Sequence, residues 1–351
     1  MIDDLAVIGG GPAGTSAALT AAAHGLRVGL YESAEAPRDK VCGEFVSAEA
    51  LPLLERYAPA LLEAAPLITH AALTSRGGAR TEFPLRSAAR GVSRLALDGA
   101  LWHAAVQAGV QVHPRSTVRL ASRETPIAGA VIIANGRHPN PHSPGRSRWL
   151  GLKARFAGLP QRPQVELYCF PGGYCGVAPV ENGWTNVCCL LRQHAPLRLA
   201  ESRDFATWLA QLPGTRWLCA RLEGAWQATP TVVTAGITLG PRAARMGEAL
   251  AAGDASGFVD PFTGDGIARA LLSGQLAAEA IASGAEADYP AALEAAAGGG
   301  FRTAAALRRA LTAPGWMQTL ACRLRAGPVF GPRLEAATRW QRSRGAAAPR
   351  P

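Results

Sequence analysis

The sequence predicts an α/β fold: a parallel sheet flanked by helices, interrupted by an antiparallel sheet and followed by a helical end. Three observations predict it. An apolar run, Leu5-Ala6-Val7-Ile8, passes through Gly9-Gly10-Gly11-Pro12-Ala13-Gly14 into an alanine-rich helix over 15–24, then a second strand that ends at Glu32. A strand–helix rhythm resumes at Ala130-Val131-Ile132-Ile133-Ala134 and again at Ala249-Leu250-Ala251. Between these, residues 149–192 change to short alternating strands whose turns are marked by Pro171-Gly172-Gly173 and Glu181-Asn182-Gly183.

The opening element carries chemistry. Gly9, Gly11 and Gly14 form G-x-G-x-x-G: a tight turn, a backbone that can approach a pyrophosphate, and a helix that packs close to its strand. Pro12 and Ala13 open the helix, where no N–H partner is lost and the positive dipole end faces phosphate. Glu32 lies eighteen residues beyond Gly14, near the offset of about 20 residues for an acid that binds ribose hydroxyls. Strand, glycine turn, helix and acid together read as a Rossmann-like dinucleotide-binding unit.

The next elements follow in order. Ala36-Pro37-Arg38-Asp39-Lys40-Val41-Cys42-Gly43-Glu44 reads as a charged loop beside that site, leading to a helix over 48–56. Residues 70–85 read as a hairpin about Arg76-Gly77-Gly78. Ser93 caps a helix over 95–108 that Gly109 ends, and Val110 to His113 is a short strand. The strand at 130–134 opens on Asn135-Gly136-Arg137. Strands at 152–156, 165–170, 174–179 and 184–191 form the antiparallel sheet, covered by a helix over 202–212. Gly253-Asp254, then Pro261 to Gly266, precede a helix over 267–283. The rest is Ala- and Arg-rich helix broken at Gly298 to Gly300, Pro314-Gly315 and Gly331-Pro332.

Composition bounds the function. A chain of 351 residues has room for two domains or one with a large insertion, and 48% hydrophobic residues supply a core. The fold is expected to begin by Leu5 with no signal segment, and no run reads as a membrane span. Seven cysteines without C-x-x-C argue against zinc or a disulfide framework and fit a reduced cytoplasm. The net charge of +10 is concentrated at the end. From Phe301 onward there are ten arginines against the single acid Glu335, so the body is near neutral and nucleic acid is not an expected partner.

The two glycine motifs together, G-x-G-x-x-G at Gly9 and Gly253-Asp254 with Pro261-x-x-Gly264-x-Gly266, resemble the FAD-binding proteins of the aromatic-hydroxylase-like superfamily, which includes flavin monooxygenases and geranylgeranyl reductases. The resemblance covers residues 1 to about 290. It implies FAD on Gly9, Gly11, Pro12, Ala13, Gly14, Glu32, Arg38, Arg94, Asn135, Gly136, Gly253, Asp254, Pro261, Gly264, Gly266 and Ile267. It implies a discontinuous FAD-binding domain (1–68, 91–148, 236–290) and a substrate domain (69–90, 149–235); beyond it the residues themselves read as a helical segment (291–344), with disorder expected over 345–351. Asn135-Gly136 stands where hydroxylases carry Asp-Gly, so the flavin is expected to draw electrons from NAD(P)H or from a separate donor. Lys40 to Glu44 resembles the Cys-Gly loop of geranylgeranyl reductases, and Tyr168-Cys169-Phe170-Pro171 resembles their aromatic–Phe-Pro segment. The tryptophan signature of flavin halogenases is absent, which ranks halogenation last.

The expected substrate is an apolar small molecule of polyketide, aromatic or isoprenoid type, in a pocket under the inserted sheet formed by Phe156, Tyr168, Phe170, Tyr174 and Val177. Oxygen transfer by a monooxygenase is the favoured reaction, with Arg38 and Glu44 orienting substrate or moving a proton. Reduction of a carbon–carbon double bond is the alternative, with Cys42 or Glu44 as the proton donor. Trp316, Leu320 and Leu324 recur every four residues beside Arg323 and Arg325. This basic amphipathic face suits an anionic membrane or an acidic carrier protein, and would hold a cytoplasmic protein at a membrane surface.

Overall fold

The structure is a computed structural model that describes residues 3–118, 128–137, 149–192, 204–297 and 300–323, with Arg333 and Arg339. The chain begins β1 (Asp3–Ile8), α1 (Pro12–Ala23), β2 (Val28–Tyr31), β3 (Phe45–Val46), α2 (Leu51–Tyr57), α3 (Pro59–Ala64), β4 (Leu67–Thr74) and β5 (Arg80–Gly91). It continues α4 (Arg94–Gln107), β6 (Gln111–His113), β7 (Ala128–Ile133), β8 (Trp149–Ala157), β9 (Gln164–Phe170), β10 (Gly173–Pro179) and β11 (Thr185–Arg192). Then come α5 (Phe205–Ala210), α6 (Arg216–Arg221), β12 (Trp226–Gln227), β13 (Val232–Ile237), β14 (Gly240–Pro241), β15 (Arg245–Met246), β16 (Ala249–Ala251) and β17 (Gly257–Phe258). The last described elements are α7 (Gly266–Ala282), α8 (Tyr289–Ala297), α9 (Gly300–Leu311) and α10 (Gly315–Arg323).

The first sheet has the order β15-β16-β7-β1-β2-β6, parallel except at the β15–β16 edge. Its strands are short apolar runs because helices cover them. Leu5, Val7, Leu30 and Ile132 are buried in one core with Leu97 and Leu101 of α4 and Leu271 and Leu272 of α7. Alanine at 17, 18 and 21 lets α1 pass close to α7, where Ser16 donates its hydroxyl to the Leu271 carbonyl at 2.7 Å. Ser93 caps α4 as its sequence suggests, accepting from Ala96 N–H at 3.1 Å.

The second sheet runs β12-β8-β11-β10-β9-β4-β5-β3, with β13 also on β8. It differs from the expected antiparallel sheet at one seam, because β4 and β9 pair in parallel. The β4–β5 hairpin is added from the side, not by a tight turn from β9, so no hairpin rule sets its direction. β3, from the charged loop segment, joins this sheet too, pairing with the end of β5. The covering helix is shorter than the expected 202–212. α5 starts after Asp204, whose carboxylate caps Ala206 and Thr207 N–H at 3.2 and 3.0 Å, and a separate α6 follows. Together α5 and α6 bury Phe205, Trp208 and Leu218 against one face of the sheet. α8, α9 and α10 follow α7, with α9 and α10 separated at Pro314 as expected; Gly298, Gly299 and Gly331-Pro332 lie outside the described residues. The expectations for Leu324 and for 345–351 lie outside the described residues. Among the described residues no helix is long and apolar enough to cross a membrane.

Candidate active site

The glycine loop sits where β1 ends. Gly9 has φ +111°, and a Cβ on Gly14 would overlap the Gly9 carbonyl, so only glycine allows α1 to start this close to its strand. Trp102 of α4 braces the loop by donating its indole N–H to the Gly10 carbonyl at 2.6 Å. Gly10 N–H donates to Glu32 Oε2 at 2.8 Å. Burial pushes the Glu32 carboxyl up, but N–H groups of Ala34 and Gly10 and the charge of Lys40 outweigh it, leaving the carboxyl below its usual range. The acid is held ionised beside the glycine loop.

Two cations face Gly11. A Cβ there would lie 3.8 Å from Arg94 Nη2 and 3.9 Å from Lys40 Nζ, so the space over the loop is open and positive. Asp98 fixes both: Arg94 Nη2 pairs with it at 2.9 Å and Lys40 at 3.1 Å. Burial works against the Arg94 charge, but Asp98 outweighs it and raises the guanidinium above its ordinary value. On the far side, Gly264 has φ +68°, and a Cβ there would come within 2.8 Å of the Phe45 ring. α7 starts two residues later and aims its N-terminus at the same space.

A cavity of about 940 Å³ joins these parts, at the upper end for small-molecule sites. Of the expected residues, Gly9, Gly11, Pro12, Ala13, Glu32, Arg38, Arg94, Asn135, Gly136, Asp254, Pro261, Gly264, Gly266 and Ile267 line it, as do Cys42, Glu44 and Tyr174. Gly14 and Gly253 stand behind its wall. The donor set fits FAD: open glycine backbone and two cations for the pyrophosphate, Glu32 for a ribose, Asp254 for a ribityl hydroxyl, and the α7 N-terminus for the ring. Burial raises the Asp254 carboxyl, and Arg137 at 3.4 Å counters it.

Beyond the flavin space the wall turns apolar, with Leu73, Phe83, Leu85, Val165, Leu167, Ile237, Leu307 and Leu311. Tyr174 donates its hydroxyl to Asp260 Oδ1 at 2.8 Å, and Arg308 of α9 pairs with the other oxygen at 3.2 Å. Phe156, Tyr168, Phe170 and Val177 are not on this wall. They face the opposite side of the sheet and pack under α5 and α6. Strand alternation is the reason. On β8 the inward parity for the cavity is Lys153 and Arg155, and on β10 it is Tyr174 and Gly176.

Lys153 and Arg155 build the feature that the sequence did not disclose. Glu44 is fully buried, with φ +56°. Its Oε1 pairs with Lys153 Nζ and accepts from Arg94 N–H at 2.7 Å; its Oε2 lies 3.4 Å from Arg155 Nε. Asp39 pairs with Lys153 at 3.0 Å and also with Arg155. Two acids and two bases thus balance inside the protein, as buried charges must. Burial pushes the Glu44 carboxyl up, Lys153 and Arg155 pull it back, and the net direction is up. Cys42 lies next to it, its Sγ accepting from Glu44 N–H at 3.4 Å and its carbonyl accepting from Asn186 Nδ2 at 3.0 Å. Arg38, in contrast, is exposed at the cavity rim. Asp39, not Arg38, is the member of that loop that reaches the buried cluster.

A family model described as pyridine nucleotide-disulphide oxidoreductase matches residues 3–158. The chain is 28% identical over 360 residues to a menaquinone reductase of Mycolicibacterium smegmatis, covering 90% of this chain and 86% of that protein. Its fold is similar to that of a flavin-dependent brominase, with a TM-score of 0.76, 17% identity and coverage of 97% and 94% of the two chains. It is also similar to a geranylgeranyl bacteriochlorophyll reductase-like protein of Thermoplasma acidophilum, with a TM-score of 0.65, 18% identity and coverage of 91% and 87%. In its fold and its nucleotide-binding segment the chain is thus similar to FAD-dependent oxidoreductases.

Proposed function

We propose that this protein is a FAD-dependent reductase of an apolar, polyprenyl-type substrate such as a menaquinone. The observation that carries the reading is Glu44, a fully buried carboxyl in the cavity wall whose pKa burial pushes up. A buried carboxyl so placed serves a reaction that needs a proton delivered away from water. Reduced FAD, when bound, supplies a hydride. The chain supplies the rest. Glu44 holds the proton for the carbon next to the one that takes the hydride. Lys153 and Arg155 fix its orientation, and Asp39, which pairs with both, holds the two cations in place. The long apolar wall ending at α9 holds an isoprenoid chain and keeps water out. The similarity to menaquinone reductases over most of the chain supports the substrate class.

Oxygen transfer by a flavin monooxygenase is the second reading, favoured by the same apolar wall beside the flavin space. One experiment separates the two. The flavin is reduced anaerobically with dithionite, a short-chain menaquinone is added, and the product is weighed by mass spectrometry after exposure to air. The expected product is heavier by two hydrogens and stays so in air, because a reduced carbon–carbon bond does not reoxidise. A product that returns to the starting mass, or one that gains oxygen when air is admitted first, overturns the reading.

A further inference from the structure

We propose that the outer face of α10, together with Trp217 of α6, docks on an anionic phospholipid bilayer. α10 has two faces with different duties. Gln318 and Cys322 are buried and line the cavity. Thr319 meets Ser75 at 3.3 Å between hydroxyl oxygens, and Arg76 N–H donates to Gln318 Oε1 at 3.4 Å, which seats the helix on the β4–β5 turn. The opposite face leaves Trp316, Met317 and Leu320 exposed by 69%, 46% and 50%. Single exposed apolar residues are ordinary, but this is a run on one short helix.

A second element extends it. The β4–β5 turn is gripped from both sides: a Cβ on Gly77 would come within 2.7 Å of Thr319 Oγ1, and one on Gly78 would overlap the Trp217 ring. Trp217 is 39% exposed, and the Arg216 guanidinium lies 4.7 Å from its ring centre. Two tryptophans therefore flank one turn on the same end of the molecule. Around them stand exposed Arg216, Arg309 and Arg323, and neither α9 nor α10 contains an acid. Tryptophan and leucine with arginine at their margin match the acyl boundary and head groups of an anionic bilayer. Since α9 and α10 also wall the apolar end of the cavity, docking puts that end against the lipid. An isoprenoid substrate would then enter without crossing water, a consequence that rests on the proposed reductase reading, whereas the docking itself does not.

The test uses the full-length flavoprotein in sedimentation with vesicles of phosphatidylcholine, with and without phosphatidylglycerol. The expected result is binding to the phosphatidylglycerol vesicles that weakens with added salt. The variant Trp217→Ser/Trp316→Ser/Leu320→Ser should bind roughly a hundredfold more weakly, from the apolar area it withdraws. Quenching of tryptophan fluorescence by lipids brominated in the acyl chain gives an independent reading. It should be strong for the natural protein and reduced in Trp316→Phe, a mild change that spares the fold. Absence of binding to either vesicle, undiminished binding by the triple variant, or binding to an acidic protein but not to lipid overturns the proposal. Turnover of a water-dispersed short-chain quinone keeps the two readings apart. Docking without turnover supports the surface and sinks the reductase, and turnover without docking does the reverse.

Discussion

Glu44 shows how one residue can depend on several distant ones. Its backbone takes a left-handed conformation that costs a non-glycine residue about 1 kcal/mol or more. The structure tolerates this because the carboxylate is then held by Lys153, Arg155 and Arg94 N–H at once. The raised pKa sets the sign of a pH effect. The donor works while protonated, so turnover from reduced flavin should fall as pH rises through the Glu44 pKa. In Glu44→Gln that alkaline limb should vanish and the rate should drop by about 10²–10⁴-fold, the usual worth of a positioned acid, while FAD absorbance is retained. A pH–rate profile of both proteins checks this; an unchanged profile removes Glu44 from the mechanism.

Among elements, the inserted sheet depends on charges on its helix-covered face. Glu166 of β9 accepts from Arg221 of α6 at 2.8 Å, from Arg80 of β5 at 3.2 Å and from the Tyr168 hydroxyl at 2.8 Å. Burial raises the Glu166 carboxyl, but Arg221 and its other partners bring it below the usual range. A depressed carboxylate contributes stability above its unfolded pKa of about 4.3 and loses it as pH falls through the lower folded value. Glu166→Ala takes the shared acceptor from half-buried Arg221 and exposed Arg80 and should cost about 1–3 kcal/mol at neutral pH. Thermal melts should show that the gap between the two proteins narrows in acid. This element also shows where sequence reading stops. The expected pocket took Phe156, Tyr168 and Phe170 as its inner face. Both faces are buried, one by α5 and α6 and the other by the cavity, so the aromatic face became core and the charged face became site.

At the scale of the whole molecule, three parts meet at Asp260. It lies in the turn before the flavin-site glycines and receives Tyr174 from the inserted sheet and Arg308 from the end of the chain. Burial raises the Asp260 carboxyl, and these partners offset that cost. The C-terminal helices are thus part of the cavity and not an appendage. Arg308→Ala should lower stability by about 1–3 kcal/mol, the cost of leaving a buried acceptor short of a partner. It should also speed protease cleavage between α8 and α10, with FAD content kept. Limited proteolysis and a melting curve check it, and unchanged cleavage would mean that α9 is held by apolar contacts alone.

The sequence by itself determined the nucleotide-binding unit. Its evidence is local: glycines at Gly9, Gly11 and Gly14 whose spacing is set by one turn, an acid one strand later, and a second glycine motif before α7. Such signals survive in one dimension because the geometry they require is made by neighbours in the chain. The tertiary structure decided what stands opposite. Lys40 faces Gly11 only because α4 brings Asp98 beneath it, and Lys153 and Arg155 reach Glu44 across more than a hundred residues. Which face of the inserted sheet meets the cavity was likewise settled by what covers the other face. A strand's alternation records two sides and carries no mark of which partner will bury each.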